Sequence, residues 1–156
     1  MLLQEKGKKI VPLMIGIALA LPSCHPSKEQ RFRRSSEIVD FLENGGDPNH
    51  SFNYHFGNPK SRLTLLHWAV KRRDLMLVNR LIASGADPNS RDYNGQTPLM
   101  LAFSNANGPE NIRPIIIQLA RVSDLTVTDL MNENVFDKID LYADKKWKAI
   151  LVEAAE

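Results

Sequence analysis

The sequence predicts an all-α solenoid: a short stack of helix-turn-helix units joined by hairpin fingers. Three observations predict it. "LTLLHWA" at 63–69 returns as "QTPLMLA" at 96–102, with Thr64 and Thr97 33 residues apart. "FLENGGDPN" at 41–49 returns as "LIASGADPN" at 81–89. Leu75, Val78, Leu81 and Ile82 recur at helical spacing and leave one apolar stripe. A helix pair with one such stripe is too small to bury it alone, so neighbouring units must stack.

Taken in order, residues 1–23 stand apart from the array. Lys6, Lys8 and Lys9 precede an apolar run from Ile10 to Leu21, and Pro22, Ser23 and Cys24 follow. A positive start, a short apolar core and a small-residue boundary make a secretory signal. The run is shorter than the roughly 20 residues of a membrane-spanning helix. "LPSC" at 21–24 resembles the bacterial lipoprotein signal, which implies cleavage before Cys24 and lipidation of its thiol and new amino terminus. Each buried methylene contributes about 0.8 kcal/mol, so several acyl chains anchor permanently. His25 is not the aspartate associated with retention at the inner membrane, and an outer-membrane, periplasm-facing address follows as the expectation. Cys24 is the only cysteine, so an intramolecular disulfide is excluded.

Removing the signal changes the charge. Lys plus Arg falls from 20 to 17 and Asp plus Glu from 18 to 17, leaving a formally neutral chain. Nucleic acid loses its electrostatic footprint as a ligand. Residues 24–34, with the polar "HPSKEQRFRR", read as a lipidated tether reaching at most roughly 40 Å. Residues 35–155 read as the array.

Ser35 to Asn49 supplies an N-terminal capping helix, with Ile38, Phe41 and Leu42 matching Val78, Leu81 and Ile82. Residues 61–90 and 91–125 make two fuller units. Thr97 is placed to cap a helix, and Pro98 occupies its first position, where the missing donor costs nothing. Leu99 points inward, and Ala102 is small enough for a neighbouring helix to approach. Gly85 ends the preceding helix in the left-handed conformation, Asp87-Pro88-Asn89 turns the chain out, and Tyr93-Asn94-Gly95 returns it. Asp92, Gly95 and Thr97 map with a shift of 37 onto Asp129, Asn132 and Asn134. Residues 126–155 therefore read as a degenerate C-terminal cap, its stripe restored by Trp147, Ile150 and Leu151. "FSNANGPEN" lengthens one helix-to-helix turn, and Pro114 falls in the tolerated first turn of the next helix.

A 33-residue period built on "RLTLLHWAV", "DYNGQTPLMLA" and "SGADPN" resembles the ankyrin repeat. The resemblance implies an ankyrin-repeat solenoid of about four units, including degenerate caps, that binds another protein. Leu65 and Met100 depart from it, standing where the pattern has Pro and His. At His67 it implies a ring bonded to the backbone of the neighbouring unit. His50 and His55 lie five apart with no third ligand nearby, so no metal or cofactor is expected. No nucleophile elbow, phosphate loop or dinucleotide fingerprint occurs, and no enzyme is expected.

Candidate contact residues are Arg91, Tyr93, Asn94, Gln96, Ser104 and Asn105 on the second finger and its helix, with Lys71 and Arg72 at the end of "LTLLHWAVKR". Those two also suit the negative end of a helix, which is reason enough for them. The inserted finger "HSFNYHFGNPKSR" alternates Phe52, Tyr54 and Phe56. These aromatics are read as partner contacts; the alternative folds the loop down over the apolar end of the N-terminal unit. A small lipidated binder without chemistry of its own looks like an immunity protein that neutralises an antibacterial effector, such as a phospholipase. The alternatives are an envelope scaffold and a cryptic hydrolase.

Overall fold

The computed structural model describes residues 32–53, 62–104 and 108–156. Helix α1 (Ser35–Glu43) is followed by two short strands, β1 (Ser51–Asn53) and β2 (Arg62–Thr64). Three helix pairs come next: α2 (Leu65–Arg72) with α3 (Leu75–Ala83), α4 (Pro98–Phe103) with α5 (Arg113–Ala120), and α6 (Val135–Tyr142) with α7 (Lys146–Ala155). A 3-10 turn at Pro109–Ile112 leads into α5.

Cap chemistry sets these boundaries. The hydroxyls of Thr64 and Thr97 accept the backbone N–H groups of His67 and Met100, and Asn134 does the same for Phe136 and Asp137. Asn134 and Asp137 complete a reciprocal box, because the Asp137 carboxylate accepts the Asn134 N–H at 2.8 Å. Asp74 caps α3 through the Leu77 N–H and also accepts the Ser35 hydroxyl at 2.5 Å, which ties α1 to the first full pair. Helix α3 ends at Gly85, φ +89°, with Gly85 N–H on Ile82 O and Ala86 N–H on Leu81 O. That double bond satisfies the last free carbonyls. Helix α5 has Val122 at the corresponding place and ends without a left-handed residue.

The pairs stack in two rows. Helices α2, α4 and α6 pack in series, as do α3, α5 and α7. Leu66, Ala69, Leu99, Ala102, Ile116, Leu119, Ile139, Trp147 and Leu151 are almost wholly buried between them. Each large side chain so buried contributes about 1.5–3 kcal/mol, and Ala69 and Ala102 keep the facing row close. Phe103 packs edge-on against Trp147, ring centres 5.6 Å apart.

The fingers are tied by a ladder that repeats from unit to unit. Asp47, Asp87 and Asp124 each accept the N–H two residues on, at 2.8 Å, closing a tight turn. Asn49 then accepts the Asp87 N–H at 2.7 Å, and Asn89 accepts the Asp124 N–H at 2.8 Å. One finger thus satisfies the backbone of the next.

Three expectations are corrected. Among the described residues only the first finger contains paired strands, with Phe52 opposite Leu63. In the second and third, one backbone bond closes the hairpin turn, Asp92 N–H to Gln96 O at 3.0 Å and Asp129 N–H to Glu133 O at 2.9 Å, and the carboxylates of Asp92 and Asp129 add bonds to the N–H groups at i+2 and i+4. Phe32, within the stretch read as tether, is buried, so packing starts before Ser35. Phe52, expected as a partner contact, is 3% exposed. Its ring lies 5.8 Å from Phe32, and Phe32 lies 5.4 Å from Phe41, so the three close the N-terminal end of the core.

Gly95 and Gly85 both have positive φ but differ in surroundings. A Cβ on Gly95 would sit 2.9 Å from the Leu130 nitrogen, whereas one on Gly85 would meet nothing within 4 Å. Gly85→Ala is expected to cost about 1 kcal/mol, the left-handed penalty alone. Gly95→Ala should cost clearly more in the same urea titration, because it also forces the third finger away.

Candidate functional site

Stacking buries α2 from Leu65 to Val70 and nearly all of α4, and leaves an outer face made of the fingers, the end of α2 and one side of α6. The fingers run side by side there: Tyr93 N–H donates to Arg62 O at 3.1 Å and Leu130 N–H to Asn94 O at 3.2 Å. Lys71 and Arg72, at the end of α2, are exposed, and the Arg72 guanidinium lies 5.3 Å above the Trp68 ring. Arg91, Tyr93 and Asn94 are exposed on the second finger. Gln96 and Ser104 are half-buried, and the Gln96 amide donates to the Ser104 hydroxyl at 3.5 Å, which ties the finger to the end of α4. Tyr54, Phe56, Asn105 and Cys24 lie outside the described residues.

His67 is the bond between units. It is wholly buried, with Nε2 at 2.8 Å from the Gln96 carbonyl and Nδ1 at 2.8 Å from the Thr64 hydroxyl. A carbonyl only accepts, so Nε2 carries the proton and Nδ1 accepts from Thr64. The same Gln96 carbonyl also accepts the Asp92 N–H at 3.0 Å. Burial lowers the His67 pKa and outweighs the opposite pull of the Gln96 carbonyl and Asp92, which keeps the ring neutral.

In the third unit a residue that the sequence reading passed over does comparable work. Lys138 on α6 is buried and bonds Asp129 at 2.6 Å and also Glu133. Burial alone would lower its pKa. The hydrogen bonds and charges of Asp129 and Glu133 outweigh that and hold the ammonium above its ordinary value. Burial would likewise raise Asp129, but Lys138 and the N–H groups of Glu133 and Met131 hold the carboxyl low.

The larger omission is the C-terminal end of the face. Applying the shift of 37 to Tyr93, Asn94, Gln96, Ser104 and Asn105 leads to Leu130, Met131, Glu133, Leu141 and Tyr142. Leu130 is 75% exposed, Met131 79%, and Leu141 and Tyr142 57% each. Beside them Asn132, Glu133, Asp137, Asp140 and Leu141 line an open groove of about 340 Å³ between the third finger and α6. The register that placed Asn134 could have found these residues. Among the described residues no three His, Cys, Asp or Glu side chains gather as metal ligands.

Comparison with known proteins agrees with this geometry. Residues 66–118 match the family model described as ankyrin repeats (many copies). The chain is similar to palmitoyltransferase AKR1 of Candida albicans, 30% identical over 94 residues, 60% of this chain and 11% of that protein. It is also similar to tRNA endonuclease vms1 of Schizosaccharomyces pombe, 35% identical over 75 residues, 46% of this chain and 12% of that protein. The chain thus spans about a ninth of each relative.

Two outcomes test the buried polar groups. Lys138→Met leaves Asp129 buried without its cation and should cost about 3 kcal/mol in urea unfolding at pH 7. The loss should shrink as pH is lowered, because burial without the cation lets Asp129 in the variant take up a proton more readily than the paired carboxylate does. His67, with its folded pKa depressed, contributes stability fully present above about pH 6.5 and lost as pH falls below it, since the unfolded chain then binds the proton the folded ring resists. His67→Gln should flatten the urea midpoint between pH 7 and 5; the slope that remains comes in part from His50, which burial also holds low.

Proposed function

We propose, on the premise that residues 66–118 match ankyrin repeats, a protein–protein interaction module, that this chain is a lipid-anchored capture protein. The observation that carries the reading is the row of exposed side chains that stacking leaves unused. Arg72, Tyr93, Asn94, Leu130, Met131, Leu141 and Tyr142 stand on fingers and first helices in the same register. A rigid stacked core lets such residues be spent on a partner without loss of the fold. Tyr, Arg and Met are also the residue types that concentrate in interfaces.

Cys24, in "LPSC", supports an anchor on the periplasmic face of the outer membrane. A binder fixed at that membrane is placed to intercept an enzyme delivered against it. The proposed partner is therefore an antibacterial effector, such as one that cleaves phospholipids, and the proposed role is immunity by occupying the effector's surface. The support is the anchor signal together with the binding face.

Cells lacking the gene should lose survival against effector-delivering kin and regain it with the wild-type chain. Cys24→Ala should leave the membrane fraction and fail to protect; a variant that stays membrane-bound would end the anchor reading, and unaltered survival of the deletion strain would end the immunity reading. Tyr93→Ala and Arg72→Ala should each weaken capture of the partner about tenfold, the cost of a modest interface anchor, with an unchanged melting temperature.

A further inference from the structure

We propose that the groove between the third finger and α6 receives a cationic segment with apolar flanks from the partner protein, an inference that rests on the binding-face reading above. Leu130 and Met131 on the finger and Leu141 and Tyr142 at the end of α6 are each more than half exposed, although all four are large and apolar. Isolated exposed apolar residues are ordinary, but four on one short finger-and-helix element, with Leu141 lining the groove and the others within two positions of its lining residues in sequence, mark a docking surface.

The groove's charge names the occupant. Glu133, Asp137 and Asp140 line the groove, Asp129 lies buried behind Glu133 on the shared Lys138, and two ammonium groups, Lys138 and Lys148, stand against these four carboxylates. Lys138 is consumed by Asp129 and Glu133, Lys148 lies 2.6 Å from Asp140, and the wall stays net negative. Asp137 and Asp140 are exposed on α6 at the groove. At the end of α2, where the register places the counterparts of Leu141 and Tyr142, the exposed residues are Lys71 and Arg72. The two ends of the face therefore carry opposite charge, and a cationic segment is repelled at α2 and attracted at α6. A negative wall likewise repels anionic lipid headgroups, which selects a protein over the membrane surface.

The test uses the full-length chain in a neutral detergent and a short photoreactive peptide of alternating Lys and Leu, with a Glu and Leu peptide as its opposite. Crosslinks of the Lys peptide should fall within residues 130–142 and exceed those of the Glu peptide. Asp140→Asn and Leu141→Ser, both at exposed positions, should each lower labelling by about tenfold while the melting curve stays in place. Equal labelling by the two peptides would overturn the inference. Labels on Lys71, Arg72, Tyr93, Asn94 or Gln96 instead would overturn it while leaving the binding face standing. Labels on α3, α5 and α7 would overturn both. A dimer in sedimentation that Leu141→Ser abolishes would show a second copy in the groove, and would also overturn it.

Discussion

Helix length is the constraint on which the rest of this structure depends. The longest helix among the described residues, α7, has ten residues, and α4 has six. Isolated helices below about 12–15 residues are marginal in water, so none of these persists without neighbours. The row of α2, α4 and α6 and the row of α3, α5 and α7 supply those neighbours, and Leu66, Leu99 and Ile139 disappear between units rather than within one. A short helix has two ends close together, which explains why caps and turns occupy so much of the sequence.

Polar side chains make the joints between units, and the protein solves the problem differently at each end. Between the first and second units His67 reaches the Gln96 carbonyl from below. In the second unit Met100 stands at the histidine's position and offers no such bond. The third finger is held instead from within its own unit, by Lys138 on Asp129 and Glu133. A neutral imidazole and a buried ion pair thus secure the same turn of chain. The ion pair is costly to break because each partner is desolvated, and its worth lies in holding finger and helix in one register.

The same joints shape the binding face. Because Asp92 and Asp129 satisfy the finger backbone with their own carboxylates, the side chains at 93, 94, 130 and 131 are released outward. Gln96 and Ser104 are drawn into the scaffold, so they position the finger more than they offer themselves to a partner.

Period, caps and turns were legible in the sequence because they are local. Thr64, Thr97 and Asn134 cap where spacing placed them, Gly85 turns left-handed, and Asn132 takes the positive φ of Gly95 at the mapped position. Burial was not legible, because it depends on what the next unit brings. An alternating Phe52 looks like a contact residue until Phe32, from the supposed tether, covers it. Lys138, which nothing in the sequence marks, is buried when the finger of its own unit lays Asp129 and Glu133 against it. By itself the sequence determined where α2, α4 and α6 start and where α3 stops, since a cap or a glycine acts on its own few residues; which side chains were hidden and which were left for a partner was decided only when the units stacked, since that contact joins residues 29 to 44 positions apart.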